Sequence, residues 1–283
     1  MNTTLSKTIR ISLILAACLF VFSSCIRKKA DYGKVVIKNI PVEKFHELEV
    51  PALVPVHIIQ GKECCIKVKG PEELLSFMNF HVVEGKLVIQ MKELDSAFGI
   101  PFYFFKTDKL TSKVEVYITA PTFTQMTLNG TSPIIFPDSI TLDKLNIIST
   151  GASNININKM MINQLNISIE GVTDVNIKNL TAKQANFDIS GNSDIEMNSG
   201  YVDNTSFSIA GNANLKIRNL TAKKARFAVP GNARLDVNFN RTDTASFYIM
   251  GNADAKVTGT TCQPIQTITE GKAVIKDETT RIK

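Results

Sequence analysis

The chain has no tryptophan and only three histidines and five cysteines in 283 residues. Without tryptophan, indole stacking, a common way of holding sugars, is unavailable. His46, His57 and His81 lie apart in the first half and lack the spacing of metal ligands, so neither a metal nor a cofactor is expected. A phosphate-binding glycine loop, a serine nucleophile elbow and a Cys-x-x-Cys pair are all missing. The repeated glycines do not follow the Gly-Gly-x-Gly-x-Asp pattern of calcium-binding nonapeptides. The net charge of +6 is spread over interspersed lysines and acids, which excludes a dedicated nucleic-acid stripe. Hydrophobic residues make up 44% of the chain, enough for a substantial buried core and against disorder.

What is present is a repeat. Glycines stand at 130, 151, 171, 191, 211, 231, 251 and 271, the first interval 21 residues and the other six 20. The clearest copies read FDISGNSDIEMN, FSIAGNANLKIR, FAVPGNARLDVN and FYIMGNADAKVT. So short a fixed period marks a stacked solenoid. Four residues before each glycine stand Met126, Ile147, Ile167, Phe187, Phe207, Phe227 and Phe247. Four after stand Ile134, Ile155, Val175, Ile195, Leu215, Leu235, Ala255 and Ile275, with polar residues between. This period-two alternation on both sides of the glycine gives two strands per copy with one inward face. A looser third inward segment holds Leu180, Ala182 and Ala185, repeated as Leu220, Ala222 and Ala225.

Three straight segments in 20 residues make one coil of a β-helix. Stacked α-hairpins would need longer repeats and a 3.6-residue period. The expected fold is all-β: a right-handed parallel β-helix with about 20-residue coils and a less regular β-rich N-terminal part. Seven intervals at about 4.8 Å give a rod of about 34 Å. The phenylalanines form one interior column, each contributing about 1.5–3 kcal/mol on burial. Glycine is expected where the chain turns with positive φ. Asn192, Asn212, Asn232 and Asn252, which follow it, should hydrogen-bond from coil to coil as a ladder.

At the N-terminus, Lys7 and Arg10 precede an apolar run over 11–22, the plan of a secretory signal peptide. The run leads through Phe22-Ser23-Ser24 into Cys25, which resembles a bacterial lipobox whose cysteine becomes the lipidated first residue. Acyl chains would then attach the protein to a membrane without a spanning helix. Ile26 is not the aspartate of an inner-membrane retention signal, so an outer-membrane lipoprotein is expected, at the periplasmic face or the cell surface. The expected division is 1–24 signal peptide, 25–33 lipidated tether, 34–120 β-rich N-terminal part and 121–279 β-helix coils. With Cys18 removed and Cys25 acylated, Cys64, Cys65 and Cys262 remain, and unpaired thiols are the default. Alternation places Cys64 with Ile66 and Val68 on the apolar face, and Cys262 in an interior column with Ala222 and Thr242.

Between tether and coils, strands are expected at 34–38, 86–91 and 113–119, and a short helix within 71–78. Segments 53–59 and 64–69 should pair as a hairpin, as should 81–83 and 86–91 around Glu84-Gly85. Segment 97–106, AFGIPFYFFK, concentrates Phe98, Phe102, Tyr103, Phe104 and Phe105. It reads either as a lid on the solenoid end or as an aromatic loop that stacks on a glycan or docks a partner. Phe98, Phe102, Tyr103 and Phe104 are the candidate binding residues. Asp174 and Asp194, one coil apart, have the spacing of a glycosidase pair, although any polar column would produce it.

Three segments resemble the head GIN domain family of auto-transporter adhesins. They are Phe45-His46-Glu47-Leu48-Glu49-Val50, Val56-His57-Ile58-Ile59-Gln60-Gly61, and Val114-Glu115-Val116-Tyr117-Ile118-Thr119-Ala120-Pro121, with the glycine coils following. The resemblance covers most of 40–260 and implies a secreted or lipid-anchored bacterial β-solenoid with no catalytic residues. The expected function is a non-enzymatic cell-envelope lipoprotein, an adhesin or binding scaffold with a glycan or protein ligand. The alternative is a polysaccharide-binding or polysaccharide-cleaving, lyase-like β-helix protein.

Overall fold

The computed structural model describes residues 33–50, 54–91 and 113–282. From Lys34 onward these form one compact unit. Strands dominate, and the chain winds into a β-solenoid of about eight turns with coils of about 20 residues.

Its regular part comprises β9 (Pro133–Ser149), β10 (Asn154–Ile169), β11 (Asp174–Ile189), β12 (Asn192–Ile209), β13 (Asn212–Val229) and β14 (Asn232–Ile249). Each pairs in parallel with the next, residue on equivalent residue, as in Val175 beside Ile195 and Phe187 beside Phe207. In β11 the buried residues are Val175, Ile177, Leu180, Ala182, Ala185, Phe187 and Ile189. Alternation breaks twice, where Lys178-Asn179 and Lys183-Gln184 are both exposed. Two outward residues in succession cannot continue a flat strand with one buried face, so these are the corners. Each coil therefore has three faces: the first follows the glycine, the second lies between the corners, and the third leads to the next glycine.

The expected phenylalanine column is present. Ring centroids are 4.5 Å apart for Phe187–Phe207, 5.3 Å for Phe207–Phe227 and 4.5 Å for Phe227–Phe247. All four rings are fully buried and nearly parallel, so each shields its neighbours from water on both sides.

Glycine recurs for a reason other than the expected positive φ. Among the eight ladder glycines only Gly271 has it. A Cβ on Gly191 would lie 1.8 Å from the carbonyl oxygen of Gly171, and one on Gly211 would lie 1.9 Å from that of Gly191. The coils approach so closely at this corner that no side chain fits between backbones. The asparagines that follow form the expected ladder over three coils: Asn212 Nδ2 donates to Asn192 Oδ1 and Asn232 Nδ2 to Asn212 Oδ1, both at 3.0 Å. A second amide ladder runs up the third face, from Asn186 to Asn166 at 2.9 Å and from Asn166 to Asn146 at 2.8 Å.

Before the regular coils stand β1 (Val35–Pro41), β2 (Glu47–Val50), β3 (Val56–Gln60), β4 (Cys65–Pro71), α1 (Glu72–Leu75), β5 (Met78–Val83), β6 (Lys86–Met91), β7 (Glu115–Ala120) and β8 (Gln125–Leu128). Several extend the solenoid. Leu48 of β2 pairs with Met126 of β8, and Val56 of β3 with Ile134 of β9, all in parallel. Beyond them β6 stacks on β2 and β7 on β3, again in parallel. Antiparallel strands close this end: β5 pairs with β6, β4 with β7, and β1 with β4.

The expected hairpin of 53–59 with 64–69 does not form, because β7 lies between β3 and β4 and pairs with both. Its alternating apolar residues, buried at Val116 and Ile118, complete the coil that a β3–β4 hairpin would leave open. The second expected hairpin, β5–β6, does form, with positive φ at Glu84 (51°) and Gly85 (76°), as a tight two-residue turn requires.

The solenoid ends with β15 (Asp254–Thr261), β16 (Gln266–Thr269) and β17 (Val274–Arg281). Here three interior columns become polar, with Thr267 following Phe247, Thr269 following Ile249 and Asp277 following Val257, while Ile275 continues the column of Ala255. A terminal coil with polar residues in the core positions can face water directly. Cys262 is displaced from its expected column. A register shift of one residue pairs Thr242 with Thr261, so Thr261 is buried there while Cys262 is half-buried. Cys64 is half-buried, Cys65 is exposed, and all three thiols are unpaired.

Candidate functional site

Buried serines and threonines such as Ser149 and Thr173 bond to each other inside the coils, so recognition by the described residues uses the polar residues of the outer columns or the recesses of the three faces. On the first face one column runs Lys67, Tyr117, His57, Ile135, Asn156 and Asn176 across β4, β7, β3, β9, β10 and β11. The His57 and Tyr117 rings stack with centroids 4.5 Å apart and planes 12° from parallel. The Lys67 ammonium sits 4.7 Å from the Tyr117 centroid. Beside them, Glu115 Oε2 accepts from the Tyr117 hydroxyl at 2.8 Å and from Lys69 Nζ at 3.1 Å.

These contacts set the protonation of the cluster. Hydrogen bonds from Tyr117 and Lys69 hold the Glu115 carboxyl below the usual carboxylate range. The same bonds push the Tyr117 hydroxyl and the Lys69 ammonium up. Burial pushes the His57 imidazole down, while the Glu115 charge opposes it. Farther along this face, a recess of about 200 Å³ is lined by Ile135, Pro137, Asn156, Asn158, Asn176 and Lys178. A larger recess, of about 340 Å³, lies on the second face between Met161 and Tyr201.

The carboxylates of the acid column bond from coil to coil. Asp174 Oδ1 accepts from the Asp194 backbone N–H at 3.0 Å, and Asp194 Oδ1 accepts from Asn214 Nδ2 at 2.7 Å. Each carboxylate is a rung of a coil-to-coil ladder, and neither lines the two recesses. Arg234 and Asp254 are register neighbours but form no ion pair. Among the described residues no three His, Cys, Asp or Glu side chains cluster as metal ligands would.

Cys25 and the candidate binding residues Phe98, Phe102, Tyr103 and Phe104 lie outside the described residues. Sequence reasoning missed Met161 and Tyr201. The signal was a large apolar or aromatic residue at an outward position whose equivalents, Thr141, Thr181 and Thr221, are threonines.

Fold and faces of the described residues together define a β-solenoid that presents laddered polar surfaces. The family described as "Putative auto-transporter adhesin, head GIN domain" matches residues 44–178 and 158–261, and the chain belongs to it. No curated protein matches the chain. Among solved structures it is similar to an adhesin, described as putative, from Parabacteroides distasonis, at 16% identity and TM-score 0.64, over 88% of this chain and 98% of that one. A similarly described adhesin from Parabacteroides merdae matches at 14% identity and TM-score 0.63, over 89% and 97%. A third, described as a putative lipid binding protein from Parabacteroides distasonis, matches at 17% identity and TM-score 0.57, over 89% and 98%. At these identities the likeness is one of fold.

Proposed function

We propose that the protein is a non-enzymatic cell-envelope lipoprotein, tethered to the outer membrane by acyl chains on Cys25, whose solenoid presents its outer faces as an adhesive or scaffolding surface. The observation that carries this reading is the use of the outer polar columns. Asn192, Asn212 and Asn232, and the acids Asp174 and Asp194, spend their hydrogen bonds on the neighbouring coil. That arrangement ties each coil to the next along the outer surface, and among the described residues Asp174 and Asp194 line neither recess. Family membership supports an envelope or surface role. The lipobox-like Phe22-Ser23-Ser24-Cys25 supports the anchor.

Metabolic labelling of the full chain with radioactive palmitate tests the anchor, with label expected on the wild type and absent from Cys25→Ala. Label that persists in Cys25→Ala would sink it. Protease treatment of intact cells then decides between the periplasmic face and the cell surface. Adherence of bacteria with and without the protein to a panel of host and bacterial surfaces tests the function. Equal adherence of a displayed protein and its deletion on every surface would count against an adhesin.

A further inference from the structure

The second face carries an unassigned recess. Its outward column reads Thr141, Met161, Thr181, Tyr201 and Thr221 on β9 to β13, each beside the next. Met161 and Tyr201 therefore stand two coils apart, about 9.6 Å, over the short side chain of Thr181. Both are well exposed, at 42% and 61%. Along one side run Asn163, Lys183 and Asp203, completing a cleft of about 340 Å³, within the roughly 300–1,000 Å³ range of small-ligand sites.

Three features separate this cleft from the rest of the surface. The other two described tyrosines each have a ring face covered, Tyr117 by Lys67 and Tyr248 by Arg226. Tyr201 has no ring or cation over it among the described residues, so its face is free to stack. The gap between Met161 and Tyr201 fits one saturated ring, whose C–H bonds would meet the negative face of the tyrosine. Charge supplies the third feature. Asp203 is neutralised by Lys223 Nζ at 3.0 Å, whereas Lys183 has no acidic partner within ion-pair distance among the described residues. The cleft thus combines an aromatic platform, a threonine hydroxyl, an amide and an unmatched ammonium.

We propose that this cleft binds a carboxylated pyranose: the sugar ring stacks on Tyr201 against Met161, its hydroxyls meet Thr181 and Asn163, and its carboxylate meets Lys183. A wholly apolar ligand would leave Lys183 and Asn163 without use, and a neutral sugar would leave the ammonium unmatched. The inference rests on the binding-scaffold reading and names a ligand class for it.

The test is saturation-transfer NMR and calorimetric titration of the full chain in detergent micelles. The probes are galacturonate, glucuronate and mannuronate trisaccharides, with neutral galactose and mannose trisaccharides for comparison. At least one uronate should bind, and more tightly than its neutral counterpart. Tyr201→Ala should weaken it about tenfold or more, Tyr201→Phe should keep most affinity, and Lys183→Gln should erase the preference for the acid. Tyr201 is exposed, so an unchanged unfolding midpoint will show that its variants remain folded. Failure of every uronate to bind, or Tyr201→Ala binding as wild type, overturns the site. Equal affinity for acid and neutral sugars overturns the carboxylate assignment. Cells displaying Tyr201→Ala that adhere as wild type would remove the cleft and leave the scaffold reading standing, whereas adherence unchanged by deleting the whole protein removes the scaffold.

Discussion

In the regular coils each strand pairs with the next strand along the chain, whereas the N-terminal part reaches the same stack with segments far apart in sequence. Leu48 rests on Met126 and Val56 on Ile134 across most of the N-terminal half, while Val175 rests on Ile195 one repeat away. The solenoid is thus a geometric template that does not require repeated sequence. Any strand of matching alternation can join it, provided the intervening chain leaves and returns. That excursion carries β4, α1 and the β5–β6 hairpin, and it closes the end that the regular coils would leave open. The polar surfaces differ in the same way. The coils repeat one amide bond from turn to turn, while the N-terminal part builds a single cluster of Lys69, Glu115, Tyr117 and His57.

Four experiments would break or sharpen this contrast. Gly191→Ala should have the largest effect, about 4 kcal/mol or more, because its Cβ would lie 1.8 Å from the Gly171 carbonyl oxygen. Denaturant unfolding measures it; a loss under about 1 kcal/mol would mean the coils can separate there at little cost. Phe207→Ala should cost about 3–5 kcal/mol by opening a cavity between two stacked rings. Hydrogen exchange should show protection falling first in β11 to β13. Equal loss in β2 and β3 would mean that the two regions unfold as one unit.

Ser132→Ala probes the junction, where Ser132 Oγ accepts from the buried Val54 N–H at 3.1 Å. Removing it should cost about 1–3 kcal/mol and raise exchange in β3 while β11 to β13 keep their protection. Acid should have the smallest effect. The folded His57 takes up its proton below its ordinary value of 6.5, and folded Glu115 below 4.5, so in each case the unfolded chain binds the proton first. Their stabilisation is present above those values and is lost as pH falls, from just under 6.5 for His57 and from below 4.5 for Glu115. Unfolding midpoints of wild type and His57→Gln should converge as pH falls below 6.5. A constant gap between them would remove His57 from the balance.

Much of the fold was legible because period and parity act locally. Phe187, Phe207, Phe227 and Phe247 could be assigned to one buried column without coordinates, and so could the third inward segment with Leu180 and Ala185. Three readings needed the structure. The partner of β4 depends on where β7 returns from a long excursion. The place of Cys262 depends on a one-residue register shift after Phe239. Tyr201 stood at an outward position of a polar column, and its free ring face depends on which neighbours lie over it. The aromatic residues Phe98, Phe102, Tyr103 and Phe104 remain candidates on sequence grounds alone.

The glycine period by itself determined that this chain stacks as coils, because inward and outward residues recur in step and only superposition buries the inward set. It also picked out the glycines, but for the wrong cause. Tertiary structure alone decided that cause: adjacent coils come so close at that corner that one backbone carbonyl occupies the space of the next Cβ. It likewise decided how the ends are closed, since pairing between segments as distant as β2 and β8 leaves no trace in a local pattern. The recess between Met161 and Tyr201 exists only once β10 and β12 lie two layers apart with β11 between them.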